Sequence, residues 1–256
     1  MPVRNALIIA LLAALLGGCS SIPAAAPEDR APTDPWEPMN RQLHGFNTGF
    51  DTVILRPIAR VYGFIVPEVF RIGFRNFSSN LRTPLNAIGA FLQGKGKNGW
   101  TQTGRFVYNS TFGMLGILDV ATPLGMPRQN EDFGQVFAHW GIPDGPFVVL
   151  PILGPRTVRD ALATPLNIAA DPLIWYDNSA VRDRLYFWRL IDVRHGLLAG
   201  DALFEQSADP YITLREAYLQ NRLFLIYDGN PPMDEDDEFF DEFFDEEEFE
   251  DEDTPQ

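Results

Sequence analysis

Asp34-Pro35-Trp36-Glu37-Pro38-Met39-Asn40-Arg41-Gln42-Leu43-His44-Gly45-Phe46-Asn47-Thr48-Gly49-Phe50 reads as an amphipathic helix with a marked start. Asp34 is placed to cap it, Pro35 suits the first helical position, and Glu37 stands three residues after the cap. Trp36, Met39, Leu43, Phe46 and Phe50 recur at three- and four-residue spacing and so share one face. The same pattern continues downstream, interrupted by proline and glycine. Pro57 and Pro67 restart the chain, which predicts helices near 57–66 and 67–80, and Thr83-Pro84 opens another to about Gln93. Gly94–Gly99 reads as a loop before a longer helix over 99–111. Further helices are expected from Thr157 to Ala163, from Ala180 to about Leu198, and from Pro210 to about Leu225. Phe147–Pro155 is an apolar run broken twice by proline, expected to be extended or a buried loop. The fold class is therefore mainly α, and no fixed-period repeat is present.

Outward from this body, both ends differ in kind. Arg4 precedes an apolar run of 11 residues, Ala6–Leu16. As a helix that run spans about 16 Å against about 30 Å of bilayer hydrocarbon, so it fits a signal peptide and not a membrane anchor. It ends in Leu16-Gly17-Gly18-Cys19, which resembles the bacterial lipobox, and Cys19 is the only cysteine of the chain. A single cysteine excludes a disulfide framework and a cysteine zinc site. By the lipoprotein pattern, residues 1–18 are removed and Cys19 receives covalent diacylglycerol and an N-acyl chain; two or more chains anchor firmly. Ser20, with no aspartate in its place, points to the outer membrane within that resemblance. Residues 19–33, rich in Ala, Pro and Ser, form a flexible tether.

The net charge of −15 is a property of the other end. Asp234–Asp253 holds 15 of the 35 acids, five Phe and no base, leaving 20 acids against 20 bases elsewhere. No basic excess is available to neutralise phosphates, which excludes nucleic acid as a partner. Residues 231–256 are expected to be a disordered acidic tail. On a helix, Phe239, Phe240, Phe243 and Phe244 fall within about a 140° arc. They are candidate anchors for a partner with a basic rim, against the alternative of a solvated end with no partner.

Catalytic motifs fail. Gly89-Ala90-Phe91-Leu92-Gln93-Gly94-Lys95 imitates a phosphate loop, but Gly96 stands where Ser or Thr is needed and the preceding segment reads as helix. No GxSxG elbow occurs. His44, His139 and His195 are too far apart for a metal motif. Ser110, His139 and Asp144 supply the residue types of a triad with nothing to join them. Asp119 and Asp160 read as capping or pairing acids.

Several segments in order resemble the MlaA (VacJ) family of outer-membrane lipoproteins. These are Asp34–Arg41 with Phe46-Asn47; Arg75-Asn76-Phe77 and Asn80-Leu81; Phe91–Gly94; Arg105-Phe106 into Asn109-Ser110-Thr111; Asp119-Val120-Ala121; Glu131–Gly134; Gly154-Pro155 and Arg159-Asp160; and Ser207–Ile212 with Arg215–Tyr218. The match runs from about 34 to 225. The resemblance implies a ring-like bundle of amphipathic helices lying in the membrane plane, with no transmembrane span and a central channel for phospholipid. It implies that the protein removes mislocalised phospholipids from the outer leaflet. They pass to a soluble periplasmic lipid carrier of the Mla type, in association with a trimeric porin, with no enzymatic activity and no cofactor. Phe46 and Asn47 match the segment that controls the lipid route. Residues 34–230 are then the lipid-transport domain, held at the inner leaflet and periplasmic face of the outer membrane. Two competing classes are a lipid-modifying enzyme, for which no nucleophile, base and oxyanion site is evident, and a porin-associated structural lipoprotein that moves no lipid.

The two ends make separable predictions. Cys19→Ser is expected to block acylation, leave the signal uncleaved or wrongly processed and weaken outer-membrane retention, read by mass spectrometry of the N-terminal peptide; a normally acylated peptide would refute the lipoprotein assignment. Truncation after Pro232 is expected to leave anchoring intact and weaken carrier docking, most at low salt. Equal carrier affinity of the two proteins at low ionic strength would remove the tail from the docking surface.

Overall fold

Helix α1 (Glu37–Phe50) runs through one π-helical turn (Asp51–Leu55) into α2 (Arg56–Ile65). The expected restart at Pro57 does not occur. In the wide turn the Arg56 N–H reaches back to the Asp51 carbonyl, an i→i+5 bond, and proline's missing donor and bulky ring are absorbed there. The turn is held from outside. Asp51 accepts from Arg194 at 2.5 and 2.8 Å and from Arg56 at 3.4 Å.

The predicted break at Thr83-Pro84 is also absent: α3 is one helix, Glu68–Leu92, with Pro84 inside it. An interior proline costs about 3 kcal/mol. Here α3 packs along α4 (Gly96–Thr111), burying Leu85, Ala87 and Ala90, and that burial outweighs the lost bond. Thr83 Oγ1 donates to the Ser79 carbonyl at 3.2 Å, which ties down the turn before the proline.

After α4 the apolar segment 112–126 is a folded loop with Met114, Leu115 and Gly116 at positive φ. Its root is polar. Arg105, buried, donates twice to Asp119 at 3.0 and 2.9 Å, and Asn109 Oδ1 accepts the Val120 and Ala121 N–H groups at 2.9 and 3.0 Å. Helix α5 (Phe133–His139) is capped by Asp132, which accepts the Gln135 N–H at 3.0 Å. The broken apolar run is a hairpin: β1 (Phe147–Leu150) pairs antiparallel with β2 (Gly154–Thr157), Phe147 opposite Thr157 and Leu150 opposite Gly154. Thr157 caps α6 (Val158–Ala169), which passes Pro165 and ends six residues beyond the expected Ala163. A 3₁₀ turn (Pro172–Trp175), α7 (Ser179–Leu197), a short α8 (Asp201–Glu205) and α9 (Pro210–Ile226) complete the order.

The structure, a computed structural model, describes residues 34–232; Cys19 and the tail phenylalanines lie outside the described residues. Asp34 does not cap α1, whose N-cap is Trp36. Its carboxylate instead accepts from Asn40 at 2.8 Å and from the Tyr211 hydroxyl, and it faces Arg215 at 3.5 Å. An acid that reads as a local cap thus ties the first helix to the last.

The packing closes a circuit. α1 packs on β1, β1 on α6, α6 on α5, α5 on α3, α3 on α7, α7 on α2, and α2 returns to α1 through the π turn. This is the expected ring. Among the described residues no helix is long and apolar enough to cross a membrane. The burial pattern is inverted from that of a soluble domain. Among the described residues, 13 apolar side chains are buried against 17 polar or charged ones, while 40 large apolar side chains are exposed.

With so little apolar core, ionic joints hold the ring. Arg222 of α9 donates to both oxygens of Asp132 at 2.7 and 2.8 Å and to Asp160 of α6 at 2.7 Å, and the Tyr218 hydroxyl donates to Asp160 at 2.5 Å. Gly134 is required beside them, since a Cβ there would overlap Asp160 Oδ1 and Arg222 Nη2. Burial alone would raise the Asp132 pKa, but the Arg222 bonds win and hold it down at about 2. A depressed folded pKa contributes stability that is present above the unfolded value and lost as pH falls through the folded one. Asp132→Asn is therefore expected to lower stability at pH 7 by about 2 kcal/mol and to converge with wild type as pH falls from about 4 to about 2. Denaturant melts across that range measure it; a gap between the two proteins that does not change with pH would contradict the assignment.

Candidate functional site

Between α3, α5, α7 and α9 lies a partly open cavity of about 330 Å³. One face of α3 supplies Arg75, Ser78, Ser79, Arg82 and Asn86, which at offsets of three, four, seven and eleven residues form a single stripe. The segment Arg128–Asp132 and Gln135 of α5 form a second wall. Arg189, Asp192 and Val193 of α7 form a third, and Leu225 of α9 closes the lining. Only Val193 and Leu225 are apolar.

The acids in this wall are engaged. Asp192, buried, accepts from Arg75 at 3.1 Å and from the Tyr62 hydroxyl at 3.2 Å; burial first, and then the Asp192 charge, push Tyr62 up to about 12. Burial raises the Glu131 pKa, against the Gln93 amide donating at 2.7 Å and Lys95 at 3.6 Å. Asp132 belongs to Arg222. Beside the cavity, Asp119 sits at about 2: its partial burial is outweighed by the Thr122 hydroxyl and Arg105. Lys95 of the imitation phosphate loop is spent on Asp228 at 2.7 Å and on Glu131. Ser110 accepts from Asn80 and Asp144 pairs with Arg159, and no hydrogen bond joins any two of Ser110, His139 and Asp144.

The outer surface is the converse of the cavity. Phe64 is 92% exposed and Trp175 73%. Val61, Val69 and Phe70 on α2 and α3, Trp100 on α4, Phe112 and Leu115 on the following loop, Leu162 on α6 and Leu197 on α7 are also exposed. A polar interior with apolar outer faces and no spanning helix suits a ring lying in the plane of a bilayer.

Phe46 is 55% exposed, with open space beside Gly45 and Gly49. Asn47 does something periodicity did not indicate. Its side-chain amide donates to the Leu150 carbonyl at 2.9 Å and accepts the Ile152 N–H at 2.7 Å. Two turns earlier Asn40 does the same to the strand, donating to the Phe147 carbonyl at 3.1 Å and accepting the Val149 N–H at 2.9 Å. Two asparagines seven residues apart thus fasten the hairpin to α1, one at the strand and one at the turn, where Ile152 has positive φ. Sequence reasoning missed the α3 stripe and Arg189. The stripe's signal was present as 75, 78, 79, 82 and 86, a polar periodicity lying between apolar residues that drew the reading instead.

Fold and site together define a mainly helical domain around a chamber lined mostly by polar residues, with no helix among the described residues able to cross a membrane. The MlaA lipoprotein family model matches residues 32–225. The intermembrane phospholipid transport system lipoprotein MlaA of Escherichia coli strain K12 is 35% identical over 227 residues, 86% of this chain and 88% of that protein. Its namesake from Haemophilus influenzae is 29% identical over 90% of this chain and 93% of its own length. A solved structure described as the structural basis for maintenance of bacterial outer membrane lipid asymmetry matches with a TM-score of 0.68 at 35% identity, covering 76% of this chain and 99% of that one. The chain belongs to the MlaA lipoprotein family.

The hairpin clasp makes a graded prediction. Asn40→Ala leaves the Phe147 carbonyl and Val149 N–H buried without these partners and is expected to cost about 2 kcal/mol. Asn47→Ala, at a more exposed turn, is expected to cost about 1 kcal/mol and to speed amide exchange at Ile152 selectively. Unchanged Ile152 protection in Asn47→Ala would show that the side chain does not hold the turn.

Proposed function

We propose that this chain is an outer-membrane lipoprotein that takes phospholipid from the outer leaflet and delivers it to a soluble periplasmic carrier, so maintaining lipid asymmetry. The observation that carries this reading is the inverted burial: polar residues around a chamber, apolar ones facing outward. The belt seats the ring among acyl chains. The chamber gives a headgroup a route that does not cross hydrocarbon, which is the barrier to unassisted flipping. The family membership and the names of the relatives support phospholipid as the cargo.

The finer parts of the reading follow. Cys19, acylated, tethers the ring to the inner leaflet. Phe46 and Asn47 bear on the lipid route through the hairpin: Asn47 sets the position of the 151–153 turn, and Phe46 stands on the lipid-facing side of the same helical turn. A trimeric porin offers an apolar wall for the belt. The acidic tail, with Phe239, Phe240, Phe243 and Phe244, is the contact for the carrier. No step cleaves the lipid; Ser110, Asp144 and Asp119 each have other partners in the fold.

The test is transfer of labelled glycerophospholipid from vesicles bearing the acylated protein to a soluble acceptor, with mass spectrometry of the products. Intact phospholipid is expected in the acceptor. Fatty acid or lysolipid among the products would establish an enzyme instead, and no transfer with normal porin association would establish a structural lipoprotein.

A further inference from the structure

The chamber wall contains donors that the fold does not use. Arg75 is taken by Asp192, and Arg128 reaches Asp119 and Asn76, both at 3.4 Å. Arg82, an exposed residue at the rim of the chamber, makes no hydrogen bond or ion pair among the described residues, so its guanidinium is free to exchange water for a ligand. Ser78 and Ser79, one turn before it on the same face, have hydroxyls without a hydrogen-bond partner there. Across from them Arg189 commits Nη1 to Asp171 at 2.5 Å, while its Nε and Nη2 are buried without a partner. Arg82 and Arg189 line the same chamber from α3 and α7, and the Arg189 guanidinium is 5.5 Å from the Tyr186 ring.

The acids facing this group do not compete for it. Asp192 is held by Arg75 and Tyr62, Asp132 by Arg222, Asp171 by one nitrogen of Arg189, and Glu131 by Gln93 and Lys95. What remains is two guanidinium groups and two hydroxyls, mostly donors with no free acid among them. That set suits a tetrahedral oxyanion, since a guanidinium fork matches two phosphate oxygens and hydroxyls take the others. The lining also limits how much of a ligand enters. The stems of these polar side chains leave more apolar than polar surface around the chamber, so the guanidinium and hydroxyl ends form one polar patch in it, sized for a headgroup, beside wall that can take the start of an acyl chain.

We propose that Ser78, Ser79, Arg82 and Arg189 form a subsite that recognises the phosphodiester of a glycerophospholipid. The proposal rests on the phospholipid-handling reading above and names the atoms that would hold the cargo. Recognition by the phosphodiester makes the site tolerant of what the phosphate carries and intolerant of a lipid without one.

The full-length acylated protein in detergent, titrated with short-chain phosphatidylglycerol, short-chain diacylglycerol and inorganic phosphate, tests it. Arg82→Gln is the primary variant, because Arg82 supports no contact that the fold needs. Arg60→Gln makes the same charge change outside the chamber. Wild type is expected to bind phosphatidylglycerol at least about tenfold more tightly than diacylglycerol. Arg82→Gln is expected to lose most of that difference at an unchanged melting temperature, and Arg60→Gln to keep it. Arg189→Lys, which retains a cation for Asp171 but not the fork, is expected to weaken phosphatidylglycerol in the same way. If Arg82→Gln, still folded, binds phosphatidylglycerol as wild type does, the subsite is overturned and the transport reading stands. If wild type binds inorganic phosphate through Arg82 but no phospholipid, the oxyanion site stands and the lipid assignment falls.

Discussion

The guanidinium of Arg222, shared between Asp132 and Asp160, is the joint on which the closed circuit of elements depends. It brings α9 to the cap of α5 and to the first turn of α6. Gly134 exists to let it approach, because any side chain there would occupy the space of the ion pair. Removing Arg222 itself would cost about 3–5 kcal/mol, more than the loss of Asp132 alone, because two carboxylates would be left desolvated and uncompensated. The same device recurs around the ring: Asp34 between Asn40, Tyr211 and Arg215; Asp51 between Arg194 and Arg56; Asp192 between Tyr62 and Arg75. Soluble domains close on an apolar core; this one closes on charge.

That choice follows from what the two surfaces must do. A helix with one apolar face has to turn it somewhere, and here many of those faces turn outward. The inward faces are then polar by default, and they are satisfied by one another, by water or by a ligand. The wall acids meet the first condition. Arg82, the two serines and half of Arg189 do not. Scaffold and binding surface are thus built from the same residue types on the same helix faces, and partnership alone separates them.

This also explains what could be read from the sequence. The helices at 37–50, 179–197 and 210–226 were legible because apolar spacing and local caps mark them. The breaks at Pro57 and Thr83-Pro84 were misread, and the helix expected to end at Ala163 was drawn too short, because a π turn and tertiary packing carry the chain through each proline. Asp34 looked like a cap because capping is decided locally, while its actual partners lie up to 181 residues away in Arg215. Phe46 and Asn47 were found only through family resemblance. Nothing in their local sequence announces that Asn40 and Asn47 address a strand more than 100 residues downstream. The α3 stripe was visible in principle, as a helical period of polar residues.

The outward apolar belt has a consequence for how the protein reaches its place. In water such a surface associates with whatever apolar partner it meets first. Its folded form is therefore not a property of the polypeptide alone. Bilayer or detergent binds the ring and not the unfolded chain, and so belongs in the folding equilibrium as a ligand does. A stability measured in plain buffer would describe a self-associated species, and any passage through water calls for an escort that covers the belt until lipid replaces it.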